Sequence, residues 1–172
     1  MNKAGCAAVH IEDQVFDKRC GHRPNKKIVS IDEMKERLKT AVSSKIDDSF
    51  FIMARTDALA SEGITGAIKR CEAYIEEGID GIFLEAVTSI EEYEVFKKNL
   101  SIPVLANITE FGKTPLFNQN QLKEVGVDMI LYPLTAFRAM SASAEKIYNS
   151  IIKDGTQAVS YTHLRAHETP IN

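Results

Sequence analysis

The sequence predicts an α/β fold: a partial (β/α)8 TIM barrel made of about the last five βα units. Three observations carry that expectation. Short, almost wholly apolar runs recur along the chain, the pattern of parallel strands covered on both faces. Longer amphipathic segments separate the runs, so strand and helix alternate five times. Polar residues follow the C-terminal end of each run but the last (Glu12-Asp13, Arg55 and Asp57, Glu85, Asn107 to Thr109). They are spread around a rim, as in a barrel, rather than collected at the single crevice of a doubly wound sheet. No glycine-rich loop follows any run, which disfavours a dinucleotide-binding sheet. With 172 residues the chain is shorter than the roughly 250 of a complete barrel.

The elements follow in order. The first run is Ala7-Ala8-Val9-His10-Ile11, in which His10 reads as a core histidine. A long polar stretch over residues 15–27 comes next. Ser30 and Glu33 then have the spacing of a capping box and open a helix to Val42, with Met34, Leu38 and Ala41-Val42 on one face. The second run is residues 50–54, followed by a helix over 64–77 with Gly78 as its stop. The third run, Gly81-Ile82-Phe83-Leu84, leads to capping candidates Thr88 and Ser89 ahead of Tyr93, Val95 and Phe96. The fourth, Pro103-Val104-Leu105-Ala106, leads to Asn118 and Gln121 as a capping pair, with Gly126 as the stop. The fifth, residues 129–132, precedes the longest helix, 135–153.

Composition bounds the function. Net charge is −3 with 44% hydrophobic residues, which argues for a globular chain and against nucleic acid or an anionic membrane surface as a partner. No apolar run approaches the roughly 18 residues of a spanning helix, and no signal-peptide pattern opens the chain. Three cysteines at no metal-ligand spacing point to a reducing, cytoplasmic setting. Cys6 and Cys71 sit in or beside apolar pattern and read as packing residues. Cys20 differs, because Lys18, Arg19, His22 and Arg23 surround it. Such charge favours the thiolate and makes Cys20 a candidate acid, base or nucleophile. An exposed loop cysteine without a role fits the same local composition.

The motif Lys18-Arg19-Cys20-Gly21-His22 resembles the K-[KR]-C-G-H signature of the isocitrate lyase/phosphoenolpyruvate mutase superfamily. His10-Ile11-Glu12-Asp13-Gln14, Ala54-Arg55-Thr56-Asp57-Ala58 and Asn107-Ile108-Thr109-Glu110 match further motifs in the same order. Arg23-Pro24-Asn25-Lys26 is most similar to the 2-methylisocitrate lyase branch. The resemblance covers residues 1–157. It implies Mg²⁺-dependent cleavage of the small tricarboxylate 2-methylisocitrate to pyruvate and succinate, in propionate catabolism through the methylcitrate cycle. It also implies a cytoplasmic homo-oligomer, a tetramer.

What the resemblance implies for residues is specific. Cys20 is the acid that protonates the departing succinate carbanion, and His22 shapes its loop or acts with it. Gly21 lets the loop backbone approach the substrate. Arg55 offers a fork for the pyruvate half, and Asn107, Ile108 and Thr109 bind a succinate carboxylate. Glu85 is a pocket acid and Arg138 a further carboxylate clamp. Phe83 stands where isocitrate lyases tend to carry tryptophan, leaving room for a methyl group. Glu12 contacts magnesium, through water or directly. Asp13 and Asp57 are read as holding rim cations, with Arg55 and Asp57 alone also fitting a structural ion pair.

Two departures shape the expectation. The superfamily's main metal-binding aspartates sit on strands before the one containing His10, so the chain is expected to be a fragment lacking the first three βα units. After Gln157 the chain reads Val159-Ser160-Tyr161-Thr162-His163-Leu164-Arg165-Ala166-His167-Glu168-Thr169, which resembles the translation of a sequencing adapter. Residues 1–157 are therefore expected to form the lyase domain and 158–172 a non-native tail, in which the His163/His167 pair is not read as a metal site. Two other readings stand beside the 2-methylisocitrate lyase. One is a lyase for isocitrate or a related 2-hydroxy acid. The other is a catalytically silent truncated barrel.

Overall fold

A computed structural model describes residues 1–158 and contains two compact units, Met1–Pro133 and Leu134–Asn172. In the first, β1 (Ala8–Glu12), β2 (Phe51–Thr56), β3 (Gly81–Leu84), β4 (Val104–Asn107) and β5 (Met129–Leu131) form one parallel sheet in the order of the sequence. Strictly sequential parallel pairing is how a barrel wall is laid down, whereas a doubly wound sheet reverses direction at a switch point. The crossovers are α1 (Ile31–Ser43), α2 (Leu59–Ile75), α3 (Ile90–Asn99) and α4 (Gln119–Glu124). The unit is thus a partial barrel, with β1 and β5 each paired on one side among the described residues.

Register sorts the side chains into two faces, because partners in a parallel pair point the same way. Ile11, Ala54, Ile82 and Val104 form one row, and Thr56, Leu84, Ala106 and Ile130 the next. These rows face the helices and join Met34 and Leu38 of α1, Ala67, Cys71 and Tyr74 of α2, Tyr93 and Phe96 of α3, and Leu122 of α4 in the core. The opposite face carries Glu12, Arg55, Phe83, Leu105 and Met129 in one row. His10 pairs with Met53 on that same face and is exposed, so it is not the core histidine its apolar neighbours suggested. Its neighbours Val9 and Ile11 point to the helices while it points away.

The caps explain the helix starts. Ser30 accepts the Glu33 N–H at 3.1 Å, but Glu33 turns to Arg37 at 2.6 Å, so only half of the expected box forms. Ser89–Glu92 and Asn118–Gln121 form both halves. β2 runs past the apolar residues to include Arg55 and Thr56. α2 begins at Leu59, five residues before the periodic stretch, and Gly63 (φ 68°, ψ −177°) interrupts it, which hides the first turn from a periodicity reading. Cys71 is buried as expected, whereas Cys6, ahead of the edge strand, is exposed.

The second unit contains α5 (Thr135–Asp154), stopped by Gly155, whose φ of 68° lets its N–H reach Ile151 O at 3.0 Å. Beyond Ala158 the expected tail lies outside the described residues. Among the described residues no helix is long and apolar enough to cross a membrane.

Candidate active site

Arg55 organises the rim. Its guanidinium lies over the Phe83 ring, 5.0 Å from the centroid, and His10 meets the same ring edge-on at 5.2 Å. Register explains the stack, since Arg55 and Phe83 are partners on adjacent strands. Arg55 Nε donates to Asp57 Oδ2 at 2.9 Å and Nη2 to Oδ1 at 3.4 Å. Two further carboxylates converge on it, Glu12 Oε2 at 3.4 Å from Nε and Glu85 Oε1 at 3.5 Å from Nη2. Lysines answer two of the acids: Lys18 Nζ is 2.5 Å from Glu12, and Lys26 Nζ is 3.0 Å from Asp57. Burial works to raise the Asp57 carboxyl, but the hydrogen bond and charge of Arg55, with Lys26, hold it below the ordinary range. His10 is pushed down, first by burial and then by the Arg55 charge.

Glu85 is the second hub. Asn107 Nδ2 donates to its Oε2 at 3.1 Å, and His22 Nε2 is 3.3 Å from Oε1. His22 Nδ1 accepts the Lys113 N–H at 3.0 Å, so the neutral ring carries its proton on Nε2, facing Glu85. Gly21 is buried against Glu85, and a Cβ there would overlap Oε1 and Cγ and meet Cδ at 2.5 Å. Ala86, next in sequence, is a buried non-glycine residue at φ 58°, a left-handed conformation costing about 1–2 kcal/mol. Such strain collects at functional sites.

The loop between β1 and α1 is closed by an antiparallel bridge, Gln14 to Ile28, and by Gln14 gripping Arg19 N–H and C=O at 2.9 Å each. It touches the rim through Gly21 and His22, while Cys20 itself is exposed. Asp13 is not a rim ligand. It is fully buried beneath the loop, accepting from Thr56 Oγ1 (2.7 Å), Asp57 N–H (2.9 Å) and Tyr74 Oη (3.0 Å).

Glu12 Oε2, His22 Nε2, Asn107 Oδ1 and Thr109 Oγ1 are buried without a hydrogen-bond partner among the described residues, as are Thr114 Oγ1 and Tyr93 Oη. Glu12 Oε2 and His22 Nε2 still face Arg55 and Glu85 within 3.4 Å, whereas Asn107 Oδ1, on a side chain that touches Glu85, has no hydrogen-bond donor among those residues; an unpaired buried polar atom costs about 1–3 kcal/mol, which marks this part of the rim as a place built for a polar ligand. Ile108 stands apart: its side chain is in the core and its N–H donates to Leu131 O at 2.9 Å, so only its carbonyl is left to face a ligand. Arg138 lies in the second unit, in the first turn of α5. Below the rim, His10, Met53, Phe83, Leu105 and Leu131 line an apolar depression of about 270 Å³. Sequence reading missed Lys18 and Lys26 as counter-ions and Thr114 as an unpaired hydroxyl, since nothing local reveals a distant partner.

The metal expected at Glu12 meets a test here. Among the described residues no three His, Cys, Asp or Glu side chains converge to hold an ion. Glu12 is paired with Lys18 and faces Arg55. One carboxylate so engaged does not by itself fit an ion that takes six oxygens.

A profile of the phosphoenolpyruvate phosphomutase family matches residues 1–152. The chain belongs to the phosphoenolpyruvate mutase/isocitrate lyase superfamily. A 2-methylisocitrate lyase from Vibrio cholerae is 56% identical over 91% of this chain and 53% of that protein. The chain therefore spans about half the length of the curated relatives it matches. Among solved structures, the superfamily member 2,3-dimethylmalate lyase superposes with a TM-score of 0.87 at 32% identity, over 95% of this chain and 55% of that one. Phosphonopyruvate hydrolase, solved with oxalate and Mg²⁺, shares the fold with a TM-score of 0.80 at 24% identity, over 96% of this chain and 57% of that one. The superfamily-matched stretch contains the whole rim from Glu12 to Thr109.

Proposed function

We propose that this chain carries the substrate-cleaving half of a carbon–carbon lyase that splits 2-methylisocitrate into pyruvate and succinate. The observation that carries the reading is the Arg55–Phe83–Glu85–Asn107 rim with its unpaired buried polar atoms, under a loop that presents Gly21 and His22. The 56% identity to a 2-methylisocitrate lyase supports the substrate.

The chemistry follows from what a retro-aldol cleavage needs. A base removes the proton of the 2-hydroxyl group, the carbon–carbon bond breaks, and the bonding pair moves to the succinate fragment as a carbanion. Cys20 Sγ–H gives that carbanion its proton. Arg55 grips the pyruvate half with a planar fork, which neutralises the charge on the 2-oxygen once its proton is removed. Asn107 and Thr109, with the carbonyl of Ile108, hold a succinate carboxylate. Glu85 is held by Arg55, Asn107 and His22, and orients the donors around it. Phe83 sets the room beside the 2-methyl group. Mg²⁺, when bound in a complete barrel, would supply electrophilic charge; Glu12 would be one contact in its surroundings, and the chain's described residues do not complete its shell. For that reason the isolated chain is proposed to be inactive.

The test is a hybrid in which residues 1–157 replace the matching stretch of the Vibrio cholerae relative, assayed for pyruvate with Mg²⁺ present. Cys20→Ser in the hybrid is expected to lower kcat by roughly 10²–10⁴-fold, the usual contribution of a general acid. An unchanged kcat, or pyruvate release by the isolated 172-residue chain, would overturn the reading.

A further inference from the structure

We infer that Lys26 is a positioning residue: together with Arg55 it cages Asp57, and this shared carboxylate ties the β1–α1 loop to β2 while fixing the direction of the Arg55 guanidinium. The inference rests on the lyase reading only in taking Arg55 as the anion clamp.

Burial sets this ion pair apart. The Lys26 side chain is 5% exposed and that of Asp57 0%, whereas the other lysines in ion pairs range from 13% at Lys45 to 67% at Lys98. A buried pair of full charges gains little net stability, because desolvation offsets the attraction. Its use is better sought in geometry. Asp57 Oδ1 takes Lys26 Nζ at 3.0 Å and lies 3.4 Å from Arg55 Nη2, while Oδ2 takes Arg55 Nε at 2.9 Å. The Asp57 backbone cannot follow either cation, since its N–H is pinned to Asp13 Oδ1 at 2.9 Å. Asp13 is in turn fixed by Thr56 and Tyr74. Asp57 is thus a fixed post with one cation from the loop and one from the strand.

The loop is shaped for the contact. Asn25, immediately before Lys26, has φ 60°, a left-handed turn that asparagine tolerates better than most residues. A few residues upstream lie Cys20, Gly21 and His22, of which Gly21 and His22 rest on Glu85. The loop is therefore tied to the rim at three points, Lys18 on Glu12, His22 on Glu85 and Lys26 on Asp57, of which the last is the most buried. Arg55 touches all three acids. Without Lys26, Asp57 would keep Arg55 as its one direct cation, drawing the guanidinium toward it and freeing the loop at one end.

The experiment uses the full chain and two readouts that need no turnover. One is the rate of trypsin cleavage after Lys18 and Arg19. The other is the Arg55 Nε–H signal in a ¹⁵N NMR spectrum. Lys26→Met is expected to speed loop cleavage about tenfold, as cleavage follows the population of the open loop, and to shift or broaden the Arg55 signal. Lys26→Arg, which keeps the charge, is expected to preserve both, and Lys27→Met on the exposed side of the loop to change neither. Movement of one readout without the other in Lys26→Met, or no movement of either, overturns the inference. Should Lys26→Met not fold, Lys26→Arg decides: retention of the wild-type Arg55 signal supports it, and loss overturns it. Failure of the lyase reading would leave both readouts unaffected.

Discussion

Gly21→Ala is the smallest change that should disturb the site. The backbone of Gly21 does not lie in the left-handed region, so alanine has no conformational objection to it. The objection is space. The new Cβ would overlap Oε1 and Cγ of Glu85 and sit 2.5 Å from Cδ. Glu85 is not the loose end of a surface chain: its side chain is 2% exposed and held by His22, Arg55 and Asn107. Either the loop lifts or the carboxylate abandons those partners. Overpacking of this kind costs about 1–3 kcal/mol, and loss of a charge-assisted contact adds to it, so we expect about 2–3 kcal/mol. For a chain of this size that lowers Tm by roughly 4–12 °C. The assay is a double-mutant cycle by urea melts with Glu85→Ala, which removes all three overlapping atoms. Gly21→Ala should cost almost nothing in that background, giving a coupling of about 2 kcal/mol. Equal costs in both backgrounds would refute the claim that the loop rests on Glu85.

Other expectations follow from single contacts. Ser89→Ala removes a cap that closes both halves of a box and should destabilise α3 by about 1 kcal/mol in urea melts, with a matching loss of amide protection in its first turn. Leu122→Ala empties a fully buried position under the short α4 and should cost about 2–5 kcal/mol by the same melts. The pH profile separates two aspartates. Asp57 is held below its ordinary 3.8, because Arg55 and Lys26 outweigh the burial that would raise it. Its contribution is complete above 3.8 and is lost as pH falls through the lower folded value, so Asp57→Asn should flatten the acid limb of the stability curve. Asp13 is raised above 3.8 by burial, which its hydrogen bonds only partly offset, so its cost is relieved as pH falls. Asp13→Asn should steepen the same limb, and the two variants moving in the same direction would contradict these assignments.

Much of the fold was legible because its signals are local. β3 reads to the residue from an apolar run bounded by glycine and Glu85, and the starts of α3 and α4 follow from capping pairs three residues apart. Legibility failed where a tertiary partner decides the outcome. The end of β2 is polar, and Arg55 and Thr56 belong to the strand through backbone pairing with its neighbours, while Asp57, Glu12 and Asp13 satisfy their side chains. His10 resembles a core residue in a run of apolar neighbours, and only alternation on an edge strand puts it on the open face. The rim residues Arg55, Glu85 and Asn107 could be named in advance by motif, and they do converge. Lys26 and Thr114 could not: one is defined by an acid just past the end of β2, the other by the absence of a partner.

The most direct test of the account is the substrate choice of the hybrid carrying residues 1–157 in the Vibrio cholerae relative. With Mg²⁺ present, products from 2-methylisocitrate and from isocitrate are measured side by side. The account predicts pyruvate and succinate from 2-methylisocitrate as the favoured reaction, and loss of that preference when Phe83→Trp fills the space beside Arg55. A hybrid that prefers isocitrate, or that cleaves neither substrate while folding normally, would contradict it.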